Sequence, residues 1–245
     1  MRRQFDIFVL SPAALQPTIE DPALGWFFGE DFSTAVDEFD AEWVLMISPD
    51  IRISADFLNR IADACAEFPF ADAFAPRIIR ADGGNVISSG SLLHRKNGFE
   101  AEFLSNRNGE IRPVASLSPR CGIYSSRLLK SLGGFDHDFK TEVRFFDLGL
   151  RALHLGAHLF AMPNLCAVSA ASGPAPSEPR KILLRETARA CYKNLDIFRF
   201  LKFTAHHPST CTAIFNGRKE LDRKSLEATQ LSRMTEEVVA SVSVP

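Results

Sequence analysis

The chain lacks any apolar stretch long enough to cross a bilayer. After Met1-Arg2-Arg3 the first apolar run ends at Leu10, before Ser11-Pro12, short of both a membrane span and a signal-peptide core. Cysteine is scarce: Cys65, Cys121, Cys166, Cys191 and Cys211 are scattered, odd in number and without the close pairs of a zinc site. They read as buried thiols of a reducing compartment, not as a disulfide framework. An excess of one charge is missing too, with Lys+Arg 28 against Asp+Glu 30, so nothing global points to a nucleic-acid partner. The histidines show no ligand spacing, since His154 and His158 flank Gly156 and His206-His207 precede Pro208. Neither a Gly-x-x-x-x-Gly-Lys loop nor a Ser-His-Asp spacing occurs, which leaves phosphate-loop and serine-hydrolase chemistry without support. These absences together describe a soluble cytoplasmic protein.

What is present is enough apolar sequence for a core: 46% of 245 residues are hydrophobic, which suits one large domain or a domain with an appendage. Trp43 to Ile47 is an uninterrupted apolar run stopped by Ser48-Pro49. Such a run suits a central strand covered on both faces, as in a parallel α/β sheet. Open α/β sheets take ligands at the C-terminal ends of their strands. There the chain puts Asp50, turned out of the sheet by a proline that cannot donate to the ladder. Ser48-Pro49-Asp50 is thus either a plain turn or the start of a ligand site for a metal or a sugar.

Around that strand, Phe5 to Leu10 reads as a first strand and Ser11 to Gly25, with its prolines, as loop. Phe32, Ala35, Val36 and Phe39 fall at helical spacing. Ser54 is a good N-cap for a helix with Leu58, Ile61, Ala62 and Cys65 on one face, stopped by Pro69. Ala73 to Ile79 is a strand, and Val86 to Leu93 with Phe99 to Leu104 reads as a hairpin through Lys96-Asn97-Gly98. Cys121 to Ser125 is another strand, and Leu128 to Leu132 is a short helix ended by Gly133-Gly134. A helix runs from about Phe146 to Gly156, followed by strands at His158 to Met162 and Leu165 to Ala170. Ser172 to Pro179 reads as a boundary.

This order of pieces resembles the family 2 glycosyltransferases of the GT-A fold, rhamnosyltransferase-like members included. The resemblance lies in Glu42-Trp43-Val44-Leu45-Met46-Ile47-Ser48-Pro49-Asp50 with Asp56-Phe57-Leu58. It continues in Arg77-Ile78-Ile79 with Asp82-Gly83 and Ser89-Gly90, and in Gly133-Gly134-Phe135-Asp136 followed by Asp147-Leu148-Gly149-Leu150-Arg151 and Gly156. Tyr192-Lys193-Asn194 resembles the tail of such members. The likeness implies an α/β fold, a mainly parallel sheet with flanking helices, an antiparallel excursion and a C-terminal helical appendage. It implies a glycosyltransferase domain over 1–178, shortened at its N-terminus, and a helical extension over 179–245.

The resemblance further implies a nucleotide-sugar donor, hexosyl or deoxyhexosyl transfer, and a saccharide or lipid-linked acceptor in polysaccharide assembly. It places Asp50 as metal ligand to Mn or Mg, Asp50 and Ser48 at the donor diphosphate, and Asp147 and Glu142 as catalytic acids. Three positions depart from the pattern. Phe5 to Leu10 matches the family's second strand, so the unit that holds the base begins late, and Leu10-Ser11-Pro12 stands where the family has an acidic residue after that strand. Phe145 stands where the family has its acceptor-activating Asp, with Arg144 in place of a Glu, and Ser169 stands near a late metal-binding His. An inverting transfer needs a base at the acceptor hydroxyl and positive charge at the departing diphosphate. Glu142 is therefore either the substitute base or a solvated loop acid, and Asp147 either a catalytic group or a helix-terminal charge. The alternative function is a catalytically degenerate relative that binds or scaffolds.

Beyond Pro179, Lys181, Arg185, Arg189 and Lys193 recur every four residues opposite Leu184, Ala188, Cys191, Leu195 and Phe198. This predicts a basic amphipathic helix over Arg180 to Lys202 that either contacts an anionic membrane or packs on the domain with its charges in water. A further helix is expected over Leu221 to Val239.

Overall fold

The computed structural model describes residues 5–11, 24–52, 54–82, 86–94, 100–102, 110–170, 179–195, 197–208, 210 and 241–244. Its centre is a nine-stranded sheet. Along the path run β2 (Leu24–Gly29), β1 (Phe5–Leu10), β3 (Trp43–Ile47), β10 (Cys121–Ser125), β5 (Ala73–Arg80), β11 (Leu159–Ser169) and β4 (Ile51–Arg52). β6 (Val86–Ser88) adds to β5, and β9 (Arg112–Pro113) adds to β11. β1 runs parallel to β2 and β3, β11 parallel to β5, and β10 antiparallel to both its neighbours.

The unbroken apolar run of β3 has a direct cause. Val44 and Met46 enter one core, on the side of α2 (Ser126–Leu132) and α3 (Val143–His154), while Trp43, Leu45 and Ile47 enter a second core under α1 (Ala55–Glu67). A strand with both faces covered needs apolar residues at every position. α1 starts where Ser54 Oγ accepts from the Phe57 amide at 3.1 Å, and it buries Phe57, Leu58, Ile61 and Ala64. At about 1.5–3 kcal/mol for each large apolar side chain, that stripe and not helix propensity holds α1 to the sheet. α2 ends at Gly133, whose φ of 69° is the left-handed cap that glycine adopts without a Cβ penalty.

Several expectations are corrected. The segment expected as loop up to Gly25 enters a strand at Leu24, so the opening of the chain carries a parallel pair and β1 lies between β2 and β3. Two glycines bracketing Trp26-Phe27-Phe28 hid that strand. The spacing Phe32, Ala35, Val36, Phe39 is satisfied by two single 3-10 turns, Phe32–Thr34 and Val36–Glu38. Asp31 caps Ser33, and Asp6 takes the amides of Asp40 at 2.6 Å and Ala41 at 3.0 Å, which leaves no room for a longer helix before β3. The two late strands are one, β11, with an irregularity between Met162 and Cys166. The expected hairpin divides instead: β6 pairs with β5, while β7 (Ser91–His94) pairs with β8 (Glu100–Glu102) in a second sheet closed by β12 (Ser243–Val244). Its Lys96-Asn97-Gly98 turn, most of the Ser172 to Pro179 stretch and the Leu221 to Val239 helix lie outside the described residues.

The expected Arg180 to Lys202 helix is two helices, α4 (Arg180–Asn194) and α5 (Ile197–His206), parted at Leu195. Ala190, Cys191 and Leu195 join the larger core, as does Val242 from the far C-terminus. Residues on both sides of position 178 therefore share one core. No described helix is long and apolar enough to cross a membrane.

Candidate functional site

β3 ends with the carbonyl of Arg120 accepting from the Ser48 amide at 2.8 Å, and the chain turns at Pro49 to present Asp50. The Ala170 amide then donates to the Asp50 carbonyl at 2.7 Å, which brings the end of β11 beside the end of β3. The Asp50 carboxylate is shared among three donors. Ser48 Oγ donates to Oδ1, while Ser169 Oγ at 2.5 Å and Arg120 Nη1 at 2.7 Å donate to Oδ2. Arg120 Nη1 also reaches Ser169 Oγ at 3.2 Å. Burial pushes the Asp50 carboxyl up, but the hydrogen bonds from Ser169 and Ser48 and the Arg120 charge outweigh it, so the group sits below the ordinary carboxylate value. Asp50 and Arg120 keep 26% and 15% of their side-chain surface in solvent, so the pair is partly open to a ligand. A cleft of about 800 Å³ opens at the other end of β3, lined by Glu42, Trp43, Arg127 and Lys130 among others. It shares no residue with this mouth.

Asp147 belongs to a different assembly. It has no solvent exposure, and it accepts from Arg151 Nε at 2.8 Å, Lys193 Nζ at 2.7 Å and Asn194 Nδ2 at 2.8 Å. Lys193 also donates to Asp136 at 2.8 Å. Arg151 reaches back to the carbonyls of Leu132 at 2.9 Å and Gly134 at 2.7 Å. The motif residues Gly134, Asp136, Asp147 and Arg151 and the late pair Lys193-Asn194 thus form one buried network that ties α4 to α3. A buried carboxylate with this many charged and amide donors is held by its surroundings. The basic stripe is shortened accordingly: Lys193 is buried, and Arg189 lies 3.5 Å from Asp138. Lys181 and Arg185 stay exposed.

Glu142, by contrast, is exposed at the head of α3 and makes no side-chain capping bond. Just before α3, Glu186 of α4 accepts from the amides of Lys140 and Thr141 and from Thr141 Oγ1 at 2.7 Å. Phe145 is 3% exposed and packs edge-on against Phe135 at 4.9 Å, with the Arg144 guanidinium 4.6 Å above the Phe135 ring. The position where the resemblance places a base is a core position here. The structure brings Ser48, Asp50 and Ser169 together. Among the described residues no hydrogen bond or ion pair links Glu142 or Asp147 to them.

The sequence reading missed Arg120. Its only signal was a position one residue before a strand, and that signal acquires meaning once β10 is known to pair antiparallel with β3, Cys121 opposite Ile47.

The resemblance places a divalent cation at Asp50. Hard cations take several oxygen ligands in a nearly octahedral shell. Here both oxygens of Asp50 already accept hydrogen bonds, one of them from a guanidinium whose charge opposes a cation. Among the described residues no three His, Cys, Asp or Glu side chains gather to hold a metal ion. The residues present do not fit the cation.

No family model and no curated protein matches the chain. Solved structures do. GalNAc-T7, in a crystal structure with UDP, GalNAc and Mn2+, superposes with a TM-score of 0.61 at 9% identity over 93% of this chain and 54% of the other. S. aureus TarS residues 1–349 in complex with UDP-GlcNAc gives 0.50 at 14% identity over 98% of this chain and 84% of the other. The chain thus spans about half the length of the GalNAc-T7 structure it matches. At these identities the likeness concerns the backbone, and with the sheet order and the β3 mouth already described it shows that this chain has a GT-A glycosyltransferase fold.

Proposed function

We propose that the chain binds a nucleotide-activated sugar at the β3 mouth and transfers the sugar to a saccharide or lipid-linked acceptor. The observation that carries this reading is the position of Asp50, half-buried and hydrogen-bonded to Ser48 and Ser169 at the C-terminal ends of β3 and β11, the end where sheets of this kind take ligands. In the reaction the acceptor oxygen attacks the anomeric carbon, the bond to the diphosphate oxygen breaks with its electron pair, and the acceptor proton passes to a base. Glu142 is assigned that base, because it is exposed while Asp147 is sealed in its network. Asp147 then positions α3 and α4.

The test is nucleoside-diphosphate release from UDP- and GDP-sugars in the presence of saccharide or lipid-linked acceptors. Turnover that disappears in Glu142→Gln with donor binding intact supports the assignment, and turnover untouched by Glu142→Gln rejects Glu142 as base. A second reading, a non-catalytic binding or scaffolding subunit of polysaccharide assembly, is favoured by the buried Phe145. It predicts donor binding without release under every acceptor condition.

A peripheral contact with an anionic membrane on the cytoplasmic side belongs to the same proposal. It rests on Arg180, Lys181 and Arg185, exposed on α4 beside Ile182, which is 43% exposed.

A further inference from the structure

The mouth of β3 holds a fixed positive charge where the fold implied a metal. Arg120 is anchored by Asp50 and Ser169, and both bonds leave from Nη1. Among the described residues no hydrogen bond of Arg120 leaves from Nη2 or Nε, so the planar fork keeps donors for a second anion. Register adds two further guanidinium-bearing positions. Arg80 on β5 pairs with Ser169, and Arg52 on β4 pairs with Val168, so one arginine stands on each side of the end of β11. Arg80 is in turn 3.2 Å from Asp82. Successive strand residues face opposite sides, so Arg80 shares the face of Ser169 while Arg52 lies on the other, and the charge at the mouth that suits a diphosphate and opposes a divalent cation is that of Arg120.

We propose that Arg120, oriented by Asp50 and Ser169, takes the place of the divalent cation and receives the donor diphosphate directly, so that nucleotide binding needs no metal. This rests on the nucleotide-sugar reading above and specifies how that site handles charge. Asp50 acts as a positioning residue, its carboxylate holding the guanidinium plane. The guanidinium forms charge-assisted hydrogen bonds to the phosphate oxygens. When the bond between the anomeric carbon and the diphosphate oxygen breaks, the electron pair stays on that oxygen and its negative charge develops against Arg120. The reaction consumes no oxidant or reductant, and the acceptor proton leaves through the base.

The experiment is calorimetric titration of the full chain with UDP and with GDP, once in EDTA and once with Mn2+ or Mg2+. It compares wild type with Arg120→Ala, Arg120→Lys and Asp50→Asn, and circular dichroism confirms the fold of each. The expected result is binding in EDTA that metal changes by no more than about twofold. Arg120→Ala should lose about tenfold or more, the size of one charge-assisted contact. Arg120→Lys should fall between, since it keeps the charge and loses the fork. Asp50→Asn, which weakens the hold on the guanidinium, should bind less tightly than wild type to the same degree in EDTA and with metal. Binding that appears only with metal and vanishes in Asp50→Asn would overturn the replacement while leaving the nucleotide reading standing. Binding of neither nucleotide under either condition would overturn both.

Discussion

Lys193 Nζ lies 2.7 Å from Asp147 Oδ1 with 6% and 0% of the two side chains exposed, a buried ion pair between α4 and α3. Breaking one side of such a pair leaves the other charge uncompensated, which costs roughly 3–5 kcal/mol. Asp147→Asn should therefore lower stability by about that amount in urea denaturation. The double variant Asp147→Leu with Lys193→Met should lose less than the sum of its single changes. Additive losses would show that the two groups do not act as a unit.

Ser169→Ala removes one of the donors that hold Asp50 below the ordinary carboxylate value. Its carboxyl should then titrate at higher pH, read from the side-chain carboxyl carbon by NMR. Because the folded-state value is depressed, the stabilisation from Asp50 is present above the unfolded value of about 3.8 and is lost as pH falls below it. In Ser169→Ala that acid loss should shrink.

His154 reports a second pH dependence. Burial lowers its imidazole below 6.5, against the opposing effects of its bond to the Asn194 carbonyl at 2.7 Å and of the Asp147 charge. A carbonyl only accepts, so Nε2 donates. The unfolded chain binds this proton more readily than the folded one, so stability rises with pH across the window below about 6.5 and is lost as pH falls through it. Denaturation midpoints measured from pH 7.5 down should decline across that window in wild type and flatten in His154→Gln.

A Cβ at Gly149 would stand 2.3 Å from the Ala115 carbonyl oxygen and 2.6 Å from Ser116 Cβ. α3 can approach that backbone only with glycine there. Gly149→Ala should cost about 1–3 kcal/mol by overpacking, with a larger loss for Gly149→Val. An unchanged melting temperature in Gly149→Ala would mean that α3 moves freely away from residues 115 and 116.

With Lys193 buried and Arg189 beside Asp138, the membrane stripe is down to Lys181 and Arg185 with Arg180 next to them. At about 1 kcal/mol per basic residue near an anionic surface, the contact should be weak and released by salt. Co-sedimentation with anionic vesicles should fall when Lys181 and Arg185 are both changed to Glu. Equal binding to neutral vesicles would remove the electrostatic contact.

The sequence alone determined β3, α1 and the turn that carries Asp50, because local patterns encode them: an apolar run of strand length, a Ser54 cap with a helical stripe, and a proline that stops the ladder. It also determined the glycine cap after α2 and the spacing from Gly133 to Arg151, since backbone conformation and i, i+4 geometry are local. Only the tertiary structure decided where the acids lie and what they pair with. Asp50, Arg120 and Ser169 are far apart in the chain, and their meeting depends on β10 and β11 lying where they do in the sheet. Asp147 read as either a catalytic group or a helix-terminal charge, and Lys193 as one of a basic stripe facing a membrane or water, until α4 packed on α3 and withdrew both from water. Burial and pairing are set by which elements touch, and no pattern within a single element carries that information.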